Sequence, residues 1–227
     1  MKALAFDLDD TLYSERDYCR ACIANVAERA GAMFGADPAQ LEADMLSGPN
    51  PYDGLCAGGR LGGRLDIDTF LDIYRATTPA SLPLREDARR MLDTLRERRP
   101  DVPLYIITDG RLRGQQAKID ALGLTEWFDP GHIIISEAIG FDKTTPMPFI
   151  TAMMREQRHS GWVYVGDNVA KDFRWPRRLG WTAIMLADRG GNTHRQPPMD
   201  ETAPEWRPDK VIDSFDYIIQ NLCQQLS

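Results

Sequence analysis

The stretch Ala5–Tyr13, AFDLDDTLY, constrains the fold more than any other part of the chain. An apolar run ends at Asp7, a second carboxylate follows at Asp9, and Thr11 closes the group, so three reactive side chains stand just past the end of a strand. Grouped polar side chains beside a buried strand cost free energy unless something satisfies them, which marks the turn as chemistry rather than packing. The strand cannot stand alone either, because its backbone groups and both of its sides need partners.

Those partners come after residue 84, where helices alternate with short β-rich runs. The runs are LYIIT at Leu104–Thr108, HIIIS at His132–Ser136, WVYVG ending at Gly166, TAIML at Thr182–Leu186 and a short one at Lys210–Ile212. Helices are predicted at Glu86–Arg98, with Ala88, Met91, Leu92 and Leu95 inward, at about Leu112–Leu122 with Gly123 ending it, at about Pro148–Gln157, and after the last strand. Alternation of this kind, with runs apolar enough to be covered on both sides, predicts an α/β fold with a Rossmann-like parallel sheet.

Residues 15–80 read differently, as an all-helical insertion. Ser14 is the expected N-cap of a helix carrying Cys19, Cys22, Ile23, Val26, Ala27, Ala30, Met33 and Phe34, and Gly35 ends it. Asp37-Pro38 opens a second helix with Leu41, Met45 and Leu46, stopped by Gly48. A third, capped by Asp66 or Asp68, carries Phe70, Leu71 and Tyr74. Between the second and third lies Gly48–Arg64, whose six glycines and two prolines predict an exposed, mobile loop, with Arg60 and Arg64 either substrate contacts or, as the expected reading, in water. The expected division is therefore a small all-helical cap domain at 15–80 and a catalytic core of residues 1–14 and 81–227.

Composition excludes several classes of partner. A chain of 227 residues with 43% hydrophobic residues buries a full core without staples, and a formal charge of −7 argues against nucleic acid or an anionic membrane as partner. There is no apolar run of about 18 residues to span a membrane, and Asp7 interrupts the stretch that a signal peptide would need. Four cysteines fit a reducing, cytoplasmic setting, with Cys19 and Cys22 expected as buried structural residues because no second pair or histidine completes a ligand set. Oligomeric state is left open.

In open parallel sheets ligands bind beyond the carboxyl ends of the strands. Those ends supply Asp7 and Asp9, then Thr108-Asp109-Gly110, then Gly166-Asp167-Asn168 followed by Asp172, with Lys143 in GFDKTTP just before the fourth strand. Several carboxylates in one crevice repel and take up protons unless a cation intervenes, and carboxylate oxygens with water and a phosphate oxygen are what Mg²⁺ prefers. The expected site is a Mg²⁺ site formed chiefly by Asp7 and Asp167.

With these residues in this order the chain resembles the haloacid dehalogenase-like (HAD) superfamily of hydrolases, in the branch with a helical cap after the first motif. The resemblance rests on D-x-D-x-T at Asp7, Asp9 and Thr11, on Thr108 and Lys143, and on G-D-x-x-x-x-D from Gly166 to Asp172. It implies a central first strand, Asp7 as nucleophile forming an aspartyl-phosphate, and Asp9 as general acid and base whose backbone carbonyl also meets the metal. It further implies Thr108, Asp109, Gly110 and Lys143 around the phosphate, and Asp172 acting on the metal through water or through Lys143. Thr11 is either structural or a positioner of Asp9; Asp10 is expected as a turn or cap residue, and Asp109 and Asn168 are also candidates for plain turn formers.

Three features depart from the pattern. Lys143 is followed by Thr144-Thr145-Pro146 where relatives continue with proline at once, Pro176 interrupts the helix expected after Asp172, and Arg189–Asp209 is a long proline-containing tract. Three readings of that tract stand: a cover over the active site, a dimer contact, or a surface excursion, the last being the expected one. Because dehalogenase branches lack a carboxylate at the position of Asp9, the resemblance implies a phosphatase acting on a small phosphorylated metabolite of the nucleotide or sugar phosphate class. The alternatives are a phosphomutase using the same intermediate and a non-catalytic phosphate-responsive protein of the same fold.

Overall fold

The computed structural model describes residues 2–56, 60–156 and 161–222. In chain order its elements are β1 (Lys2–Phe6), α1 (Glu15–Phe34), α2 (Pro38–Ser47), α3 (Pro51–Cys56), α4 (Ile67–Arg75), α5 (Glu86–Arg98), β2 (Leu104–Thr108), α6 (Leu112–Ala121), β3 (Ile133–Ile135), α7 (Ser136–Ile139), α8 (Met147–Arg155), β4 (Gly161–Gly166), α9 (Arg174–Arg178), β5 (Thr182–Leu186), β6 (Lys210–Ile212) and α10 (Asp216–Leu222). They fall into two compact units, Met1–Glu15 with Ser81–Ser227, and Arg16–Ala80.

The first unit is built on a six-stranded sheet in the order β3-β2-β1-β4-β5-β6, parallel throughout. β1 is central because its alternation suits two different layers. Ala3 and Ala5 are small where the sheet meets large aromatics: Ala5 lies in register with Tyr105 on one side and Tyr164 on the other, and Trp162 and Trp181 stack nearby with ring centroids 4.4 Å apart. The other layer takes Phe6, whose ring packs on Phe128 and Phe215. The chain runs outward through β2 and β3 and then returns to start β4 on the opposite side of β1, so the order reverses between β1 and β4. A crevice opens at such a reversal, beyond the strands' carboxyl ends. Asp7 and Asp167 follow those two strands directly.

Pro176 sits in the first turn of the five-residue α9, where a missing N–H leaves no helical bond unmade. The strand expected at His132–Ser136 is the shorter β3, since His132 ends a 3₁₀ turn and Ser136 begins α7. The helix expected to end at Gln157 runs Met147–Arg155, and Gln157 lies outside the described residues.

The second unit has its own core, with Val26 and Ile23 of α1, Leu41 and Met45 of α2, Leu55 of α3 and Phe70 of α4. Asp37 and Asp66 cap α2 and α4 by accepting from the amides of Ala39 and Thr69. The expected loop at Gly48–Arg64 is corrected in part: Pro51–Cys56 is helical, while residues 57–59 lie outside the described residues. Two of the glycines there allow close approach, since a Cβ at Gly48 would meet the Gly54 backbone and one at Gly54 the carbonyl oxygen of Asp44, whereas Gly62 and Gly63 take positive φ with open space around them. Arg60 and Arg64 are also not simply solvated. Arg60 pairs with Asp44 at 3.4 Å, and Arg64 donates to the Leu61 carbonyl and lies over the Phe34 ring. Met33 and Leu46, expected inward, are each 56% exposed, and of the two early cysteines Cys22 is buried and Cys19 half-buried. No helix of the described residues is long and apolar enough to cross a membrane.

Candidate active site

The amide of Asp7 still donates to Val165 at 2.8 Å, so the sheet ladder carries this residue to the crevice before the chain turns. Its carboxylate meets the ammonium of Lys143 at 2.7 Å, and the same ammonium lies 2.7 Å from Asp172 and 3.2 Å from the Tyr164 hydroxyl. Lys143 is wholly buried. Its place is set from the main chain, where its own amide donates to Asp109 at 3.0 Å; the other oxygen of Asp109 lies 3.3 Å from Lys171. Asp109 thus holds the lysine's loop, and the altered spacing after Lys143 does not displace it.

Asp172 is saturated by protein donors. One oxygen takes Lys143 and the Tyr164 hydroxyl, the other takes the amides of Asp167 and Asn168 at 3.1 and 2.8 Å. Gly166 makes this possible, because a Cβ there would lie 2.5 Å from the Asp172 oxygen. Asn168 accepts from the Ala170 amide, a turn former as expected. Oxygens of Asp7, Asp167 and Asp172 come within 4.8 Å of one another, all three residues buried.

Crowding shows in the proton affinities. Burial, with the charge of Asp172 added, lifts Asp7 to about 7 against the pull of Lys143. Burial and the charges of Asp172 and Asp7 push Asp167 to about 9. Burial would strip Lys143 of its proton, but Asp172 and Asp7 outweigh it and raise the lysine well above its ordinary value. Fully ionised, the three carboxylates would carry more negative charge than the buried Lys143 balances. A hard divalent cation with a preference for oxygen is the complement such a donor set fits. Asp7 and Asp167 have oxygens to offer it, whereas those of Asp172 are already bonded.

Asp9, two residues from Asp7, is held by a separate set of groups. Lys118 meets one carboxylate oxygen at 2.7 Å, Tyr13 donates to the same oxygen at 2.6 Å, and Gln115 donates to the other at 2.9 Å. Burial alone would raise Asp9, yet the charge of Lys118 and these hydrogen bonds win and lower it. Glu15 lies 3.5 Å from the same lysine. Of these neighbours only Tyr13 lies within the Ala5–Tyr13 stretch that the sequence marks. Gln115 and Lys118 were detectable as polar residues three apart on α6, both buried in a helix that starts just after Thr108-Asp109-Gly110.

Asp10 is the turn and cap residue expected: at φ 55° it accepts from the Glu15 amide at the start of α1 at 2.9 Å and from the Thr193 amide at 2.5 Å. Among the described residues the buried hydroxyls of Thr108 and Thr11 have no hydrogen-bond partner, so Thr11 does not reach Asp9. The Gly110 amide is taken by Ser136 at 2.9 Å and is not free for a phosphate. Between these groups lies a cavity of about 150 Å³ whose wall includes Asp7, Asp109, Asp167, Lys171 and His194.

His194 belongs to the long tract after β5, and that tract is not a plain surface excursion. Asn192 donates to Asp167 at 2.9 Å, and Gln196 donates to the carbonyls of Asp167 and Leu186, both at 2.9 Å. Arg189 pairs with Asp87 at 2.6 Å. The first third of the tract is a wall of the site, which no local periodicity could have announced.

A family model described as haloacid dehalogenase-like hydrolase matches residues 1–180. Among characterised proteins the chain is 28% identical to a glyceraldehyde 3-phosphate phosphatase of Methanopyrus kandleri, over 96% of this chain and 97% of that one. It is 25% identical to a phosphoserine phosphatase of Thermus thermophilus, over 95% and 98%. Among solved structures it shares the fold of the YfnB protein of Bacillus subtilis, bound there to magnesium, with TM-score 0.62 and 18% identity over 96% and 97% of the two chains. It shares it equally with a HAD phosphatase of Thermococcus onnurineus, with TM-score 0.61 and 22% identity over 98% of each.

Proposed function

The chain belongs to the haloacid dehalogenase-like hydrolase family, and on that premise we propose that it is a magnesium-dependent phosphatase hydrolysing a small phosphomonoester through an aspartyl-phosphate on Asp7. The observation that carries the reading is the pair of carboxylates two residues apart in opposite environments, Asp7 among like charges and Lys143, Asp9 in a cage of donors. Two carboxyl groups held this differently take different roles: Asp7 stands where a cation would keep it ionised for attack, and Asp9 stands apart from that cluster for proton transfer.

The steps follow from the residues. An Asp7 oxygen attacks phosphorus as the bond from phosphorus to the leaving alcohol breaks, and protonated Asp9 supplies the alcohol's proton. Asp9, now ionised, takes a proton from water, whose oxygen attacks phosphorus and releases Asp7 and inorganic phosphate. Lys118, Tyr13 and Gln115 favour the ionised form that the second step needs. The arriving phosphate places negative charge beside Asp9 and raises its proton affinity for the first. Lys143 and the unpartnered Thr108 hydroxyl suit the phosphoryl oxygens, while Asp109 acts by holding the Lys143 loop. Mg²⁺, held by Asp7, Asp167 and the backbone carbonyl of Asp9, would neutralise charge between nucleophile and substrate.

The helical unit, inserted right after the Asp7–Tyr13 turn, is in this reading the part that selects the leaving group. Relatives named for glyceraldehyde 3-phosphate and phosphoserine support a small phosphorylated metabolite, with nucleotides and sugar phosphates the classes to try first. A cytoplasmic setting agrees with the acidic balance and sparse cysteine.

A phosphate-release screen over nucleotides, sugar phosphates, phosphorylated amino acids and triose phosphates, with Mg²⁺ and with EDTA, tests the proposal. Magnesium-dependent release, lost in Asp7→Asn with the fold retained, is the expected result. Release that needs a bisphosphate activator would mark a phosphomutase. Binding without release across the panel would mark a non-catalytic protein, and either outcome would overturn the phosphatase.

A further inference from the structure

The segment Asp188–Gln196 is a built piece of structure. One oxygen of Asp188 accepts from the amides of Gly190, Gly191 and Asn192 at 2.8, 2.9 and 3.1 Å, winding the chain into a tight turn. Gln196 closes it: its side-chain carbonyl accepts from the Asp188 amide at 2.8 Å, while its NH₂ clasps the carbonyls of Leu186 and Asp167, which end β5 and follow β4. The turn is thereby tied to the two strand ends beside the crevice. What it delivers there is Asn192.

The two ends of the Asn192 amide face opposite charges. Its NH₂ donates to Oδ2 of Asp167 at 2.9 Å, and its oxygen lies 3.5 Å from the Arg85 guanidinium. Arg85 is itself held by the carbonyls of Asp10 and Thr11, at 2.9 and 3.1 Å. Flipping the amide would set NH₂ against a cation and carbonyl against a carboxylate, so only one orientation is favourable. A neutral donor on Oδ2 fixes the rotation of the Asp167 carboxylate without cancelling its charge, and leaves Oδ1 for another partner. A lysine or arginine at this position would donate equally well but would compete with a cation for the same charge.

We infer that Asn192, aimed by Arg85 and presented by the Asp188–Gln196 turn, is a positioning residue that sets the Asp167 carboxylate for divalent cation binding. The inference rests on the reading of Asp167 as a magnesium ligand. Hydrogen bonds to a ligating carboxylate act on metal affinity, because they remove the freedom that the ligand otherwise loses on binding.

Calorimetric titration of Mg²⁺ into the full chain reads the effect without any substrate. Asn192→Ala, and Asn192→Leu, which keeps the volume but not the donor, should each weaken Mg²⁺ binding by about tenfold or more. The melting temperature in EDTA should stay that of the unsubstituted chain, and kcat should return when Mg²⁺ is raised to saturate the weaker site. Unchanged affinity in both variants would overturn the proposal. Recovery in the leucine variant would do the same by making volume the role, and a matching loss of melting temperature in EDTA would do so by making Asn192 a fold residue. Absence of magnesium binding by the unsubstituted chain would also overturn it. Failure of the phosphatase reading looks different: Mg²⁺ binds and the variants weaken it, yet no phosphomonoester releases phosphate.

Discussion

The ammonium of Lys143 stands 2.7 Å from the carboxylate of Asp7, with the whole lysine side chain buried. A buried ion pair is weak support for stability as a whole, but removing one partner leaves the other charge uncompensated. Lys143→Met strands Asp7 and Asp172 together and should cost about 3–5 kcal/mol in chemical denaturation, with phosphate release abolished. Added Mg²⁺ should restore part of that stability, since it supplies the missing positive charge. A stable variant that keeps wild-type turnover would remove Lys143 from the site.

Stability without metal should depend on pH in an unusual direction. Asp7 and Asp167 are raised from 3.8 to about 7 and about 9, so between about pH 4 and 9 the unfolded chain ionises these groups while the folded chain retains protons. Unfolding is then favoured as pH rises through that window, and stability in EDTA should fall from the acid side toward pH 9. Asp87, held down to about 2 despite its burial by Arg189, the Phe215 amide and Ser214, acts oppositely, but only below about pH 4. Thermal melts in EDTA across this range check the sign. Mg²⁺ titrations in buffers of different ionisation heat should also show proton release on binding; a stability that rises steadily from pH 5 to 8 in EDTA would contradict the reading.

Removing the cation beside Asp9 should move the pH–rate profile. Lys118→Met takes away the nearest positive charge to that carboxylate, whose proton affinity then rises toward what burial alone would give. The alkaline limb of kcat/KM, which reports the free enzyme in the step that needs Asp9 protonated, should shift upward. Gln115→Ala should shift it in the same direction by less. Superimposable profiles would make Lys118 a bystander.

Gly166→Ala tests the packing behind the carboxylate cluster. The new Cβ would stand 2.5 Å from the Asp172 oxygen that receives the Asp167 and Asn168 amides. Forcing them apart should cost about 1–3 kcal/mol of stability. It should also lower kcat more than it raises KM, because Asp167 moves with its amide. Denaturation curves and steady-state kinetics on the same preparation give both numbers.

The sequence by itself determined the strands, their parallel arrangement, and the residues that end them. An apolar run stopped by a carboxylate is a local signal, and it recurs at Asp7, at Thr108-Asp109 and at Gly166-Asp167, so the residues of the crevice are legible in the sequence. What the spacing could not carry was the environment of each carboxylate. Only the tertiary structure decided that Asp9 turns to Lys118 on α6, that Asp172 spends both oxygens on protein donors, and that Asn192 reaches back to Asp167. Lys118, Lys143 and Asn192 lie 109, 29 and 25 positions from Asp9, Asp172 and Asp167, the carboxylates they meet, and such separations have no periodicity to announce them. The same limit applies to Gly48–Arg64: Gly48 and Gly54 serve closeness, and closeness depends on a neighbour that no local pattern announces.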